Sequence, residues 1–271
     1  KSFIFGSELK SFKNHPHFQD EINRGALSLY STYNYIPSPY SIYKNIFKLK
    51  PGCLLTVSLQ HTEPEIKSYW SAESIIHSCI TNKFQGSYEL INEFENLLKE
   101  VVAGQMLSDV PLGAFLSGGI DSSTIVAIMQ SISSKPVKTF TIGFSEKGYN
   151  EAVYAKDVAA HLRTEHTELY VSPDDAMSVI PKLASIYDEP FSDSSQIPTF
   201  LISQLARKKV AVSLSGDGGD ELFCGYNRYL LTQKIWNKIS IIPEIFRTLT
   251  SNFLKSIPTR SLNLVSKKAS V

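Results

Sequence analysis

Between residues 112 and 214, short apolar runs alternate with stretches of helical spacing. Leu112–Leu116, Val137–Phe144, His166–Val171 and Val210–Leu214 read as strands, and the apolar runs among them suit burial on both faces of a sheet. Between them, Ser122–Ile132 reads as a helix. Glu151–Leu162 reads as another, with Ala152, Ala155, Val158, Ala159 and Leu162 turned inward. Asp174–Tyr187 is helical with a kink at Pro181, and Pro198–Lys208 is a further helix. This alternation predicts an α/β fold, a doubly wound parallel sheet. Such sheets bind ligands beyond the carboxyl ends of their strands. Two Gly-rich loops, after Leu116 and after Leu214, fall at such ends.

The pattern upstream is different. Leu90, Ile91, Phe94, Leu97, Leu98, Val101 and Val102 follow helical spacing, with Ser87 as a cap. Before that, Ser2–Phe5 reads as a strand, Ser7–Phe12 as a short helix and Gln19–Tyr30 as a second helix. Tyr43–Leu49 alternates like a strand. Lys50-Pro51-Gly52-Cys53 fits a type II turn into a partner strand, Leu54–Ser58, and Ile66–Trp70 adds a third. Residues 71–87 are polar and irregular and read as a linker. From Arg228 onward eight Lys and Arg face one acid, Glu244, which reads as a solvated basic face on short helices.

Composition narrows the function classes. The chain has 271 residues, 42% hydrophobic and 20% charged, as a soluble globular protein does. A net charge of +1 offers no general attraction for nucleic acid. No stretch of eighteen apolar residues suggests a membrane span. Cys53, Cys79 and Cys224 are odd in number and form no CxxC pair, so a reduced cytoplasm is expected. The histidines have no metal-ligand spacing; His15 and His17 flank Pro16 in a polar loop.

The chemistry concentrates at residues 112–124. The run to Leu116 ends in Ser117, Gly118 and Gly119, and a helix follows. Strand, Gly turn and helix N-terminus make a backbone anion site, because unpaired N–H groups and the positive helix end converge. Ser117, Ser122 and Ser123 add hydroxyls. Asp121 inside a phosphate cradle repels phosphate unless a cation intervenes, so it points to Mg²⁺ carried with a polyphosphate. No Lys follows the glycines, which excludes the Walker loop. Phe115 stands where a nucleophile elbow needs Gly, which argues against a serine hydrolase using Ser117. Ser117-Gly118-Gly119-Ile120-Asp121-Ser122 instead resembles the pyrophosphate loop of the ATP pyrophosphatases.

The second loop places Asp217, Asp220 and Glu221 among Gly216, Gly218 and Gly219, a cluster that repels unless a cation or basic ligand neutralises part of it. Between the loops runs Asp188-Glu189-Pro190-Phe191-Ser192-Asp193-Ser194-Ser195. With Thr139–Phe144, Asn150-Glu151 and Leu222–Tyr229, these segments resemble the synthetase domain of glutamine-dependent asparagine synthetases across most of residues 88–230. Phe5-Gly6-Ser7-Glu8-Leu9-Lys10 is similar to a stretch late in that family's N-terminal-nucleophile glutaminase domain.

The resemblance implies an adenine nucleotide alpha hydrolase-like synthetase domain over residues 88–271. It implies the end of a glutaminase domain over 1–72, with a linker at 73–87. The family's glutaminase nucleophile is an N-terminal Cys, where this chain has Lys1, and a family catalytic Lys is expected after Val271. The chain therefore reads as an internal fragment without glutaminase activity of its own. The implied reaction activates a carboxylate with ATP to an acyl adenylate and pyrophosphate, and glutamine-derived ammonia then displaces AMP. In that reading Leu116 and Ile142 line the adenine site. Ser117, Gly118, Gly119, Ser122 and Ser123 hold the pyrophosphate, and Ser215 and Gly216 touch the nucleotide. Asp121 and Asp220 bind Mg²⁺, and Asp217 helps form the adenylate. Many relatives carry Glu at the position of Asp217 and Gly or Ala at that of Cys224. The acid is therefore aspartate or another carboxylate, such as a uronic acid in surface-polysaccharide synthesis; a lactam-forming relative and a noncatalytic nucleotide-binding fragment are further alternatives. Small molecules are the expected partners, and oligomeric state is open, a homodimer included.

Overall fold

The computed structural model describes residues 3–58, 60, 63–81, 88–144 and 150–256. The described residues up to Ser215 form one compact unit and those from Gly216 a second.

The core of the first unit is a four-stranded parallel sheet. Its strands are β3 (Leu112–Phe115), β4 (Lys138–Phe144), β5 (Glu165–Val171) and β6 (Val212–Leu214), in the order β5-β4-β3-β6. The strand earliest in the chain, β3, is internal. The chain winds outward through β4 to β5, then returns to place β6 on the other side of β3. Winding therefore reverses between β3 and β6, the crevice where doubly wound sheets bind ligands.

Helices cover both faces. α4 (Ile120–Ile132) and α5 (Ala152–Leu162) pack one face, with α3 (Tyr88–Gln105) behind α4. Val126 and Met129 of α4 and Ala155 and Ala159 of α5 meet Ala114 of β3 and Leu116 just after it, with Val158 and Leu162 partly buried beside them. Small residues on α5 allow close approach: a Cβ on Gly143 would lie 2.9 Å from the Cβ of Ala152. The opposite face carries α8 (Gln196–Ala206), whose Ile202, Leu205 and Ala206 pack on Phe115 and Phe140. α6 (Pro173–Val179) and α7 (Leu183–Ile186) extend that layer over Ile142 and Leu169. The expected helix at 174–187 is divided by a 3-10 turn, Ile180–Lys182, at Pro181, which has no N–H to continue the ladder. Ser172 and Asp175 form a capping box at the start of α6.

The N-terminal piece departs more from the sequence reading. Residues 3–6 carry no strand; Phe3 and Phe5 stack on each other at 6.2 Å. The short helix is a 3-10 turn, Leu9–Phe12. The next helix, α1 (Arg24–Tyr33), starts later than expected because the Asn23 side chain accepts from Ala26 N–H and caps it. Tyr43–Leu49 contributes only the isolated bridges Ile22–Tyr43 and Tyr40–Phe47. Strand β1 (Cys53–Thr56) pairs instead with β2 (Glu65–Ser68), antiparallel. Gly52 takes φ +67° at the turn into β1, where a Cβ would strike the Trp70 carbonyl oxygen. Part of the expected linker is a helix, α2 (Ala72–Thr81), and Ser87 lies outside the described residues. No helix among the described residues is long and apolar enough to cross a membrane.

The second unit is helical: α9 (Gly219–Phe223), α10 (Asn227–Ile239) and α11 (Glu244–Ser256).

Candidate functional site

The loop after β3 is built by three local constraints. Gly118 takes φ +81°, a left-handed conformation that costs an L-residue about 1–2 kcal/mol. A Cβ there would lie 2.7 Å from the backbone nitrogen of Ala155 and 2.7 Å from the Cβ of Tyr154, so the loop is pressed onto the start of α5. Gly119 is the N-cap of α4, with φ −72° and ψ 164°, and it offers no side-chain cap. The helix starts at Ile120, two residues before the expected start. Its first internal bond runs from Ser123 N–H to Gly119 O, at 3.0 Å. That leaves the first-turn N–H groups of Ile120, Asp121 and Ser122 without intrahelical acceptors.

The hydroxyls divide into two roles. Ser117 and Ser122 face each other across the loop at 2.9 Å. The Ser122 hydroxyl also accepts from Ser117 N–H (3.2 Å), and the Ser117 hydroxyl accepts from Gly119 N–H (3.2 Å). Those two serines cross-link the loop and hold its shape. The Ser123 hydroxyl is buried with no hydrogen-bond partner among the described residues. Burying a hydroxyl without a hydrogen bond costs about 1–3 kcal/mol, so its presence calls for a ligand or ordered water. Asp121, half-buried in the first turn of α4, makes no hydrogen bond or ion pair among the described residues. The loop therefore offers free N–H donors, an unused hydroxyl and an unused carboxylate. That set fits a polyphosphate carried with a divalent cation. Among the described residues no group of three or more His, Cys, Asp and Glu could hold a metal.

The register of β3 against β6 pairs Ala114 with Leu214, so Ser215 follows β6 at the same sheet edge as the loop after β3. Leu116 and Ile142 do not share a face. Leu116, 1% exposed, packs toward α4 and α5, whereas Ile142 joins the cluster under α8. The pairing of Phe115 with Phe140 puts residues 116 and 142 on opposite faces by strand alternation. Their side chains therefore cannot form one wall. An open cavity of about 720 Å³ lies beside Phe115, Ala206, Val210 and Ser213, and none of its lining residues belongs to the loop.

The second unit opens with Gly216 and Asp217, the latter exposed. Gly218 takes φ +89° to cap α9. Asp220 lies against Gly225, where a Cβ would stand 1.9 Å from Asp220 Oδ1. Cys224 takes φ 59°, so this side chain occupies a left-handed position that Gly fills without strain. Glu221 accepts from the Tyr226 hydroxyl at 2.8 Å. That bond holds the Glu221 carboxyl below the ordinary glutamate range and raises the Tyr226 phenol above its own. Arg228 stacks over the Tyr226 ring at 4.1 Å. Reading Asp217, Asp220 and Glu221 as one cluster missed this division: Glu221 has its own donor, Tyr226, five residues further along the chain. The Gly225-Tyr226-Asn227-Arg228 run was the only sequence signal for it.

The family model for asparagine synthase matches residues 93–269, and that for a glutamine amidotransferase domain matches residues 1–70. A putative asparagine synthetase [glutamine-hydrolyzing] 2 of Methanocaldococcus jannaschii is 42% identical over 252 residues, 92% of this chain. Asparagine synthetase [glutamine-hydrolyzing] 1 of Bacillus subtilis is 35% identical over 209 residues, 77% of this chain. The chain spans 47% of the first of these relatives and 32% of the second.

Proposed function

The chain belongs to the asparagine synthase family, and from that premise we propose that it is part of an ATP-dependent carbon–nitrogen ligase. The proposed reaction converts aspartate to asparagine with glutamine-derived ammonia. A carboxylate oxygen attacks the α-phosphorus, the bond from that phosphorus to the bridging oxygen breaks, and pyrophosphate leaves. Ammonia then attacks the acyl carbon of the adenylate, the carbon–oxygen bond to AMP breaks, and a proton is released. Residues 1–72 are proposed as part of a glutaminase domain and residues 88–271 as part of the synthetase domain, joined through 73–87.

The observation that carries the reading is the loop after β3, with its unfilled donors and the unused Asp121 carboxylate. Pyrophosphate gains negative charge as it leaves, and donors fixed beforehand stabilise that charge without reorganising. In the proposal the N–H groups at the start of α4 and the Ser123 hydroxyl bind it. Ser117 and Ser122 keep the loop in shape, and Gly118 and Gly119 let the phosphates approach the backbone. Main-chain atoms at Leu116 and the Ile142 side chain are proposed against the nucleotide base, with Ser215 and Gly216 touching the nucleotide. Asp121 and Asp220 are each proposed as Mg²⁺ ligands. The ion would neutralise phosphate charge. Asp217 is proposed as the catalytic carboxylate for adenylate formation. Three unpaired cysteines, Cys53, Cys79 and Cys224, suit a reducing cytoplasm.

The test is ATP–pyrophosphate exchange on the full-length protein, across a panel of acids. Exchange that requires aspartate supports the reading. Exchange with a different acid alone moves the substrate, and ATP binding without exchange for any acid overturns the ligase assignment.

A further inference from the structure

The amidotransferase-matched region and the synthase-matched region meet, within the first unit, along one acidic segment. Asp188 and Glu189 sit between α7 and α8, and their side chains are each 16% exposed. Asp188 accepts from the Lys10 backbone N–H at 3.3 Å and faces Lys10 Nζ at 3.6 Å. Lys10 Nζ also donates to the Ile186 carbonyl at 2.8 Å. Glu189 pairs with Lys48 and accepts from Ile42 N–H at 2.7 Å. Lys48 in turn donates to the Ile36 carbonyl at 2.7 Å. Three residues on, Ser192 N–H donates to Asn34 O at 2.7 Å and the Tyr30 and Ser192 hydroxyls meet at 2.9 Å.

These bonds bind two regions whose partners are about 150 to 180 positions apart in sequence. They end on parts that are themselves fixed. Ile36 and Ile42 belong to the small buried cluster of the N-terminal piece, together with Ala26. On the other side, Gln196, the first residue of α8, donates to the Phe191 carbonyl at 2.7 Å, and the Tyr187 hydroxyl donates to the Gln196 carbonyl at 3.2 Å. α8 then packs its Leu201 and Ile197 with Ile142 of β4. The acid pair thus registers the N-terminal piece against the helix that supports the strand ends of the sheet. Two charges partly removed from water, each meeting a lysine and a backbone N–H, give orientation as well as attraction.

We infer that Asp188 and Glu189 form a docking clasp that couples nitrogen supply by the amidotransferase region to amide formation by the synthase region. They are positioning residues: among the described residues both bond to the N-terminal piece and neither bonds to the loop after β3. The inference rests on the proposed reading of the two regions as partners in one amide-forming protein. The clasp matters for that reaction because ammonia released in one region is lost to solvent unless the other is held in register.

The experiment uses the full-length protein and its Glu189→Gln and Asp188→Asn variants, which keep shape and remove charge. Losing a charge-assisted hydrogen bond shifts a docking equilibrium by about ten-fold. Glutamine-driven amide formation should fall about ten-fold, while amide formation from ammonium salts and glutamine hydrolysis stay within about two-fold of the parent. Equal losses with glutamine and with ammonium, or an unchanged ratio of glutamate released to amide formed, overturn the clasp. Hydrogen exchange supplies an independent readout: the Ile42 and Ser192 amides should exchange about ten-fold faster in Glu189→Gln. Unchanged exchange there also overturns it. If the parent forms no amide even from ammonium, the ligase reading falls, and the exchange result still decides whether the clasp exists. Should Glu189→Gln unfold, Lys48→Gln removes the same ion pair while Glu189 still accepts from Ile42 N–H, and it should lower glutamine-driven amide formation selectively in the same way; equal losses with glutamine and ammonium in that variant overturn the clasp.

Discussion

Replacing Gly118 by Ala isolates the structural demand of the loop from its proposed chemistry. The substitution adds one carbon, in a backbone conformation at φ +81°. That conformation costs about 1–2 kcal/mol for an L-residue. The new carbon would lie 2.7 Å from Ala155 N and 2.8 Å from the Tyr154 carbonyl carbon, and both are backbone, so no rotamer change relieves the contact. Forcing backbone apart in a packed region adds about 1–3 kcal/mol. Taking about 3 kcal/mol in all, a unit of this size should melt roughly 6–12 °C lower. Gly119→Ala is the control. Its φ of −72° suits any residue, and the new carbon would meet only the Ser117 hydroxyl, at 3.3 Å. Loss of Gly at an N-cap costs about 1 kcal/mol or less. Scanning calorimetry and ATP titration of parent and both variants separate the effects. Gly118→Ala should lose stability, whereas Gly119→Ala should keep its fold and bind Mg·ATP about ten-fold more weakly, about 1.4 kcal/mol. A Gly118→Ala protein melting within about 2 °C of the parent refutes the steric reasoning, and undiminished ATP affinity in Gly119→Ala reduces the loop to a turn.

Asp121→Asn should lower the melting temperature by no more than about 4 °C, because Asp121 has no hydrogen-bond or ion-pair partner among the described residues and loses only its attraction to the start of α4, about 0.3–1 kcal/mol, and should weaken Mg·ATP by about ten-fold or more in isothermal titration; equal affinity removes Asp121 from the site. Cys224→Gly should stabilise the protein by up to about 1 kcal/mol, since it relieves a left-handed φ of 59° and adds only the entropy of Gly to the unfolded chain; a lower melting temperature contradicts this. His166 concerns acid stability. Burial chiefly lowers its pKa from the ordinary 6.5, against a smaller raising effect of Glu168, and Lys156 lowers it further. The unfolded chain therefore takes up a proton at a higher pH than the folded one does. Stability should fall as pH drops from about 6.5 toward the lowered folded value, and be level above about 6.5. His166→Gln should flatten that slope in denaturant titrations, and an unchanged slope assigns the effect elsewhere.

The readings that held depend on local pattern. The apolar runs at 112–116 and 137–144 and the Ala-rich face of 151–162 became β3, β4 and α5 nearly as read, because both faces of a parallel strand and one stripe of a helix are buried whatever their partners. The break at Pro181 is equally local, since a missing N–H acts on its own turn. The loop's place and make-up were legible for the same reason: Ser117–Ser123 is contiguous between β3 and the first turn of α4, and its glycines, hydroxyls and carboxylate are visible as letters.

Partner choice was not legible. Residues 43–49 alternate like a strand, yet β1 pairs with β2. The apolar residues of α2 at 75, 76 and 80 were hidden among polar neighbours in a stretch read as linker, and in the structure they are exposed. Nothing in the sequence said that Ser117 and Ser122 would bond each other and leave Ser123 unused, or that Leu116 and Ile142 would take opposite faces. The acid pair at 188–189 was visible as a motif, but its lysines stand far away at positions 10 and 48. The sequence by itself determined the order of the sheet's elements and which polar groups the first loop carries, because both follow from neighbours along the chain. The tertiary structure alone decided which groups are paired and which are left free, because that depends on residues brought together only when the sheet closes.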